Sequence, residues 1–530
     1  MKRLALVLVA AFGALLLLAG PVAAPASAHA VLESSDPGAD TVVSTLPGAV
    51  SLTFSESVSL VPGSLRVYGP DGARIDRGDV DHPGGHGDRI GVSIGDGDDA
   101  GQGTFLVAWR VISADSHPVS GAFAFSVGHA SRAPVAPSVH SSRPLGIALG
   151  VARWTGYLGS ALLIGILIVI GWCWRAGWSS TRARRLMVAG GVLLAVGSVA
   201  SLLLKGPYDA ALGLGATFRG ELIREVVGTT YGRATIARIV LALVGLVLVW
   251  RRVRSLRVAG ALAAAVGVSF ALAGHAAAGD ARVVASLNDT VHVVAASTWL
   301  GGLVVLAVAV LPQRDSDASR LAVSRFSGLA LALVLALVCT GLYQAIRQVG
   351  SLGALTGTTY GRELLVKIAI VLVVLALAQL SRRRLAAGDT PLRAVVAAEA
   401  ALVLAILGVT ASLVATEPAK TAYRPTISAS LTVLGQTVDV TAVPTGSRAV
   451  DLHVYVLDAS GQPAEPEELT ASIGLPDKQI EALPVPLTLA DPGHWRAPVS
   501  VPVAGDWRLA ITVRTTEIDE ASGYATLTIR

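Results

Sequence analysis

Long apolar runs fill the middle of the chain, and stretches in which apolar and polar residues alternate lie on either side. Eight runs are long enough to cross a bilayer as helices: roughly 145–174, 186–204, 234–250, 257–274, 289–311, 326–346, 364–381 and 393–415. Ahead of them, residues 29 to about 132 carry short alternating runs at Val50–Phe54, Leu65–Tyr68, Ile90–Ile94, Gly103–Trp109 and Gly121–Val127, with the turn Gly69-Pro70-Asp71-Gly72 between two of them. Short period-two runs with frequent turn signals predict a small β-sandwich or barrel, and about 100 residues suffice for one such core. After the apolar runs, Gln436–Thr441, Asp451–Leu457 and Trp507–Arg514 predict a second small sandwich, immunoglobulin-like in general form, over 420–530. In it His453 reads as a surface strand residue and His494 as a loop residue. No metal constellation shows there, so a docking or stabilising role is expected.

Composition adds the membrane. Of 530 residues 52% are hydrophobic and only 15% charged, where soluble domains are nearer a quarter charged; mean hydropathy is +0.62. The net charge of +5 calls for no nucleic-acid partner, because the arginines cluster between apolar runs. Arg175, Arg182, Arg184 and Arg185 follow the first run, Arg251, Arg252, Arg254 and Arg257 the third, Arg314, Arg320 and Arg325 the fifth, and Arg382, Arg383, Arg384 and Arg393 the seventh. The positive-inside rule puts these loops in the cytoplasm. Lys2-Arg3, a Leu/Val/Ala run and Ala26-Ser27-Ala28 read as a signal peptide over 1–28. Both terminal domains are then expected outside a plasma membrane that the 144–416 region crosses eight times, with 133–143 as linker.

A repeat runs through the apolar region. Gly228-Thr-Thr-Tyr-Gly-Arg233 before the third run recurs as Gly357-Thr-Thr-Tyr-Gly-Arg362 before the seventh. An offset of four spans makes the halves parallel repeats, which frame sites in some transporters and serve as duplicated scaffold in others. Ionisable groups at membrane depth are functional candidates by default. They are His275 at the end of the fourth run, Asp289 and His292 at the start of the fifth, and Glu399 within the eighth. Asp289 and His292, three apart, share a helix face. Glu363 and Lys367, four apart, are candidates to pair with each other.

The candidate metal chemistry begins at the cleavage site. Cleavage after Ala28 makes His29 the first residue, whose free amine and imidazole can chelate one ion together, a nitrogen pair suited to Cu(II). Asp115-Ser116-His117 offers a carboxylate and an imidazole on one face of an extended segment. Alternatively Asp115 makes an Asx turn and His117 merely precedes Pro118. The two cysteines, Cys173 and Cys339, lie far apart in apolar runs and signal neither a disulfide framework nor a CxxC site. Beyond Met1, Met187 is the one methionine, so soft Cu(I) ligation is poorly served. His82 and His86 sit in a Gly/Asp-rich insertion that reads as solvated.

His29-Ala-Val-Leu-Glu-Ser-Ser-Asp-Pro-Gly-Ala, Leu52-Thr-Phe-Ser-Glu56 and Val111-Ile-Ser-Ala-Asp-Ser-His117-Pro-Val-Ser-Gly-Ala-Phe-Ala-Phe125 resemble the CopC family of periplasmic copper-binding proteins. The resemblance implies a Greek-key sandwich binding Cu(II) through His29, Asp115 and His117, without the Met-rich Cu(I) site of some members; Glu56 is given no ligand role. His292…Trp299-Leu-Gly-Gly302, Arg325-Phe-Ser, Thr340-Gly-Leu-Tyr343, Tyr360-Gly-Arg-Glu-Leu-Leu-Val-Lys367 and Arg393…Glu399 resemble the CopD family, the eight-span membrane partner associated with copper uptake. The expectation is a copper importer rather than an enzyme, serving copper homeostasis, with His275, Asp289, His292 and Glu399 as a membrane relay. Its partners are copper, the lipid bilayer and, as a candidate, a copper chaperone on either side. A copper-sequestering or sensing protein and a membrane redox protein are the alternatives.

Overall fold

The structure is a computed structural model that describes residues 30, 32–39, 41–61, 63–95, 101–114, 118–131, 134, 142–274, 281–313, 316–386, 392–445 and 448–529, with side chains 380–386 and 392–394 left aside. The expected signal segment, His29, Asp115, His117, His275 and most of the expected linker lie outside the described residues.

The N-terminal region is all β. Its strands are β1 (Leu32–Asp36), β2 (Val42–Val43), β3 (Ala49–Phe54), β4 (Leu65–Tyr68), β5 (Asp76–Asp81), β6 (Arg89–Ile94), β7 (Gly103–Ile112) and β8 (Pro118–Val127). They form two four-stranded sheets, ordered β1-β3-β6-β5 and β2-β8-β7-β4. The alternation works as expected: Val50, Leu52 and Phe54 from one sheet meet Val67, Phe105, Val107 and Phe125 from the other in a single core. Phe54 meets Trp109 edge-on at 5.2 Å, and Phe105 stacks on Phe125 at 5.4 Å. Strand β5 was illegible because Asp-Arg-Gly-Asp-Val-Asp has one apolar side chain; it is a polar sheet edge, which discourages pairing with other chains.

The helical region follows, with α1 (Arg143–Trp172), α2 (Thr181–Asp209), α3 (Gly220–Gly228), α4 (Thr230–Trp250), α5 (Leu256–Ala271), α6 (Arg282–Val310), α7 (Asp317–Val349), α8 (Leu352–Gly357), α9 (Thr359–Ala386), α10 (Leu392–Leu413) and α11 (Ala419–Ala422). Among the described residues six helices, α1, α2, α4, α6, α7 and α10, are long and apolar enough to cross a membrane. The run expected to span over 257–274 is α5, an apolar helix of 16 residues, where a full crossing takes about 20. The run over 364–381 is part of α9, whose first turns carry Arg362, Glu363 and Lys367.

Helices α1 and α6 are the axis of the bundle, with 72% of the apolar window of each buried, against 6% for α7. They cross through small residues, the usual device where no hydrophobic force separates helix from lipid. A Cβ on Gly165 would strike the Ser297 backbone, and one on Gly301 the backbone at Ala161 and Gly165. Ser160 and Ser297 share a hydroxyl hydrogen bond of 2.8 Å at this crossing. One of the motifs that resembles CopD thereby gains a physical reason: Gly302 of Trp-Leu-Gly-Gly receives the ring of Phe326 from Arg-Phe-Ser.

The hexapeptide repeat is a helix-starting turn. Thr229 caps α4 by accepting the Gly232 N–H at 3.1 Å, and Thr358 caps α9 by accepting the Gly361 N–H at 3.0 Å. A Cβ at Gly232 would meet the carbonyl of Val226, and one at Gly361 those of Ala354 and Leu355, so each short helix packs directly on the next. Replacing Thr358 with alanine removes one cap and should lower stability by about 1 kcal/mol, read as a lower melting temperature in detergent, with Thr358→Ser close to wild type.

The C-terminal region has β9 (Ile427–Val433), β10 (Gln436–Pro444), β11 (Ala449–Leu457), β12 (Glu468–Leu475), β13 (Ile480–Val485), β14 (Thr488–Asp491), β15 (His494–Ser500), β16 (Gly505–Arg514) and β17 (Glu520–Ile529). Sheets ordered β14-β15-β11-β10-β9 and β13-β12-β16-β17 share a core of Val438, Leu452, Ile473, Trp507 and Leu527. His494 is thus not in a loop; the turn at Gly493, with φ of 71°, delivers it into the first position of β15.

Candidate functional site

The first sandwich stands on one end of the bundle. Ile112 and Val61 pack with Ala210, Ala216 and Leu222 beyond and beside the end of α2. Arg110 Nε donates to the Asp209 carbonyl at 2.5 Å, and Nη2 donates to the Tyr208 carbonyl at 3.4 Å. Burial in this junction pulls the Arg110 guanidinium below its usual value, with Asp209 and Tyr208 opposing the shift. Beneath, Lys205 and Asp209 form an ion pair, both at least 95% buried, and Lys205 lies over the Tyr231 ring at 5.4 Å. The i,i+4 placement of Lys205 and Asp209 at the end of an apolar run was the available signal for this pair.

The flanks of the Asp115–His117 segment lie at this junction. Ile112 and Pro118 are cross-strand partners, so a five-residue connection joins β7 to β8 here. The Ala114 N–H within it donates to Glu56 Oε1 at 3.2 Å, which gives Glu56 a bracing role on the loop. Pro118, the residue after His117, lines a cavity of about 790 Å³. Arg110 and Ser120 line it from the sandwich, Arg143 and Trp154 from α1, Tyr208 from α2 and Ser412 from α10, with Thr416 just beyond. The cavity therefore reaches from the foot of the sandwich into the helices.

Polar groups continue inward from its wall. Ser412 and Thr416 donate to Glu363 Oε1 and Oε2 of α9 at 2.7 and 3.0 Å. The expected pairing of Glu363 with Lys367 gives way to these hydroxyl partners, while Lys367 and Arg347 lie within electrostatic reach of Asp289. Asp289 Oδ1 accepts from Gln344 Nε2 at 2.6 Å. One turn on, His292 Nδ1 is 2.8 Å from the Thr340 hydroxyl. That hydroxyl has a single proton, directed at the Ala336 carbonyl at 2.6 Å, so it accepts from Nδ1–H and leaves His292 Nε2 with its lone pair. Asn288 donates to the Thr340 carbonyl at 3.2 Å, and its Oδ1 is buried with no hydrogen-bond partner among the described residues.

Of the residues expected in a membrane relay, Asp289 and His292 are thus brought together. Glu399 is buried on α10, 5% exposed, and nine residues before Gly408, which lines the cavity, it lies about 14 Å along the helix from the cavity wall. Sequence reasoning missed Thr340 and Gln344, neutral groups that carry no charge signal in an apolar run. It also missed Arg238, buried in α4, which donates to the Ser269 carbonyl at 2.6 Å and lies over the Phe270 ring at 3.6 Å. Among the described residues no three His, Cys, Asp or Glu side chains converge into a metal cage.

Two β-sandwiches around a bundle of apolar helices, with ionisable groups held inside the bundle, define a multi-pass membrane protein with paired extramembrane domains. The chain belongs to the CopC–CopD copper-resistance fusion family. Residues 32–128 match the CopC domain, 144–285 the copper resistance protein D-like N-terminal domain, 320–413 copper resistance protein D and 423–522 FixH. Copper transport protein CutJ of Bacillus subtilis (strain 168) is 26% identical over 459 residues, 83% of each chain. Protein YobA of Escherichia coli (strain K12) is 31% identical over 100 residues, 19% of this chain and 79% of YobA. Among solved structures, CopC from Methylosinus trichosporium OB3b is 22% identical, with a TM-score of 0.17 over 20% of this chain and all of that one. PcoC, a methionine rich copper resistance protein from Escherichia coli, is 25% identical, with a TM-score of 0.15 over 19% of this chain and 98% of that one. This chain has no methionine between residues 29 and 132. The matched CopC and copper resistance protein D families and the CutJ relative make its function copper-related.

Proposed function

We propose that the protein captures copper outside the plasma membrane and imports it. On this reading residues 1–28 are removed, and Cu(II) binds through the amine and imidazole of His29 with Asp115 and His117. Eight helices cross the membrane, counting α5 and α9, and both sandwiches lie outside. The ion leaves the first sandwich at the β7–β8 connection, enters the cavity at its foot and passes Glu363 toward Asp289 and His292 Nε2. The observation that carries this is the cavity: Pro118, next to His117, and Ser412, a hydrogen-bond partner of Glu363, line the same space. No nucleotide-binding loop is present in the sequence, so the metal gradient, the membrane potential or a copper sink inside drives transport.

Copper uptake into proteoliposomes of defined orientation tests the reading; accumulation no faster than in protein-free vesicles overturns it. The ligand set has its own test. Replacing His29 with alanine, or adding one residue ahead of it, removes the chelate. Affinity for Cu(II) should fall by more than the roughly 10–100-fold that loss of an outer-sphere partner costs. Isothermal titration that finds unchanged affinity rules out the amine chelate. Affinity should also drop on acidification, because protons compete for the amine and the imidazoles.

A further inference from the structure

The second sandwich brings together two histidines that sequence spacing keeps 41 residues apart. In the register of β11 against β15, Tyr455 faces His494 and His453 faces Arg496, so the two histidines are diagonal neighbours. His453 Nδ1 lies 3.0 Å from His494 Nε2. The rings are nearly parallel, 15° apart with centroids at 5.3 Å, and the Tyr455 ring stacks on His494 at 4.2 Å. This stacking on a sheet limits how far either imidazole can turn.

The outward nitrogens face carboxylates. His453 Nε2 is 3.6 Å from Asp451 Oδ2, and His494 Nδ1 is 3.8 Å from Asp491 Oδ2. The Arg496 side chain hydrogen-bonds Asp451 and so fixes where this carboxylate sits. A carboxylate on one ring nitrogen favours the tautomer protonated there, which leaves the other nitrogen as a lone pair. The two facing nitrogens share a hydrogen bond across 3.0 Å, so a metal ion that displaces the shared proton finds a lone pair on each ring. The spacing fits such an ion: two nitrogens each about 2.0–2.1 Å from a metal and at right angles around it are about 2.9 Å apart. Histidine ligands whose far nitrogens meet carboxylates are the common outer-sphere arrangement of metal sites.

We propose that His453 and His494 form a second metal site, on the solvent-facing side of the five-stranded sheet of the C-terminal sandwich, for an imidazole-preferring divalent cation, Cu(II) foremost. Their side chains are 23% and 16% exposed, so the ion is reached from solvent. Two protein nitrogens leave the remaining positions to water, and such a site exchanges its metal readily. It is separate from the first sandwich and owes nothing to transport.

The test uses the full-length protein in detergent, with His29→Ala and His117→Ala removing the first site and His292→Ala the membrane imidazole. Titration with Cu(II), followed by equilibrium dialysis and electron paramagnetic resonance, should show a copper equivalent with histidine nitrogen couplings. Adding His453→Gln or His494→Gln should weaken that equivalent at least tenfold, with melting temperatures confirming the fold. Should either variant unfold, the remote-nitrogen echo modulation of the His453/His494-intact protein decides: two coupled imidazoles support the site, and none overturns it. Copper bound equally well with and without the two histidines overturns the proposal. So does a site that takes Zn(II) and refuses Cu(II).

Discussion

If the proposed route is right, copper uptake should fail when His292 is replaced by alanine, while Cu(II) binding by the first sandwich should persist. His292 Nε2 is a nitrogen lone pair held inside the bundle, and among the described residues Met187 of α2 is the one thioether. Without it an ion leaving Asp289 has no imidazole partner among the described residues of the bundle, and an ion stripped of water and unliganded among apolar helices is strongly disfavoured. Uptake into proteoliposomes should fall at least tenfold. Thr340→Val, which removes the acceptor that fixes the His292 tautomer, should give a partial loss, roughly 10–100-fold if the ring acts as a ligand. Normal uptake by His292→Ala protein places the route elsewhere.

Replacing Asp209 alone with leucine should destabilise the protein by roughly 3–5 kcal/mol, because it strands the Lys205 ammonium in the interior. The pair is at least 95% buried and sits directly under the Arg110 contact that seats the first sandwich. Arg110 keeps its hydrogen bond to the Asp209 carbonyl oxygen but loses the nearby carboxylate charge, so the loss reports Asp209's interactions with both cations. Removing both charges, Lys205→Met with Asp209→Leu, should recover most of the stability, since an apolar pair of similar volume avoids the desolvation cost. Thermal unfolding in detergent distinguishes the cases; equal losses in the single and double variants would mean that the pair contributes nothing beyond its volume.

The domain order was legible because the two hydrophobic periods differ so clearly. Val50, Leu52 and Phe54 announce a strand, and the apolar runs announce helices. Span length was less legible. Leu256–Ala271 ends earlier than its apolar composition suggests, at the start of Leu272-Ala-Gly. The membrane pair Asp289 and His292 was readable from helical spacing, yet their partners Gln344 and Thr340 come from another helix, and no local pattern links them. The same holds for His453 and His494. Each looks like an isolated strand or loop residue until the register of β11 against β15 makes them diagonal neighbours. Arg110 illustrates the converse: it occupies an ordinary position in an alternating strand, and only the helix end beneath it gives the charge a role.

Helix α7 has 33 residues and is about 50 Å long, but its apolar run over 326–346 is about 32 Å, close to the roughly 30 Å hydrocarbon of a bilayer. With so little of its surface covered by protein, its inclination is set in large part by lipid. In a thinner bilayer this run exceeds the hydrocarbon, and tilting is one way a helix accommodates the excess. Thr340 and Gln344, the partners of His292 and Asp289, ride on this helix. Acyl-chain length thereby acts on the geometry of the polar path, and the rate of metal passage should vary with the lipid in which the protein is reconstituted.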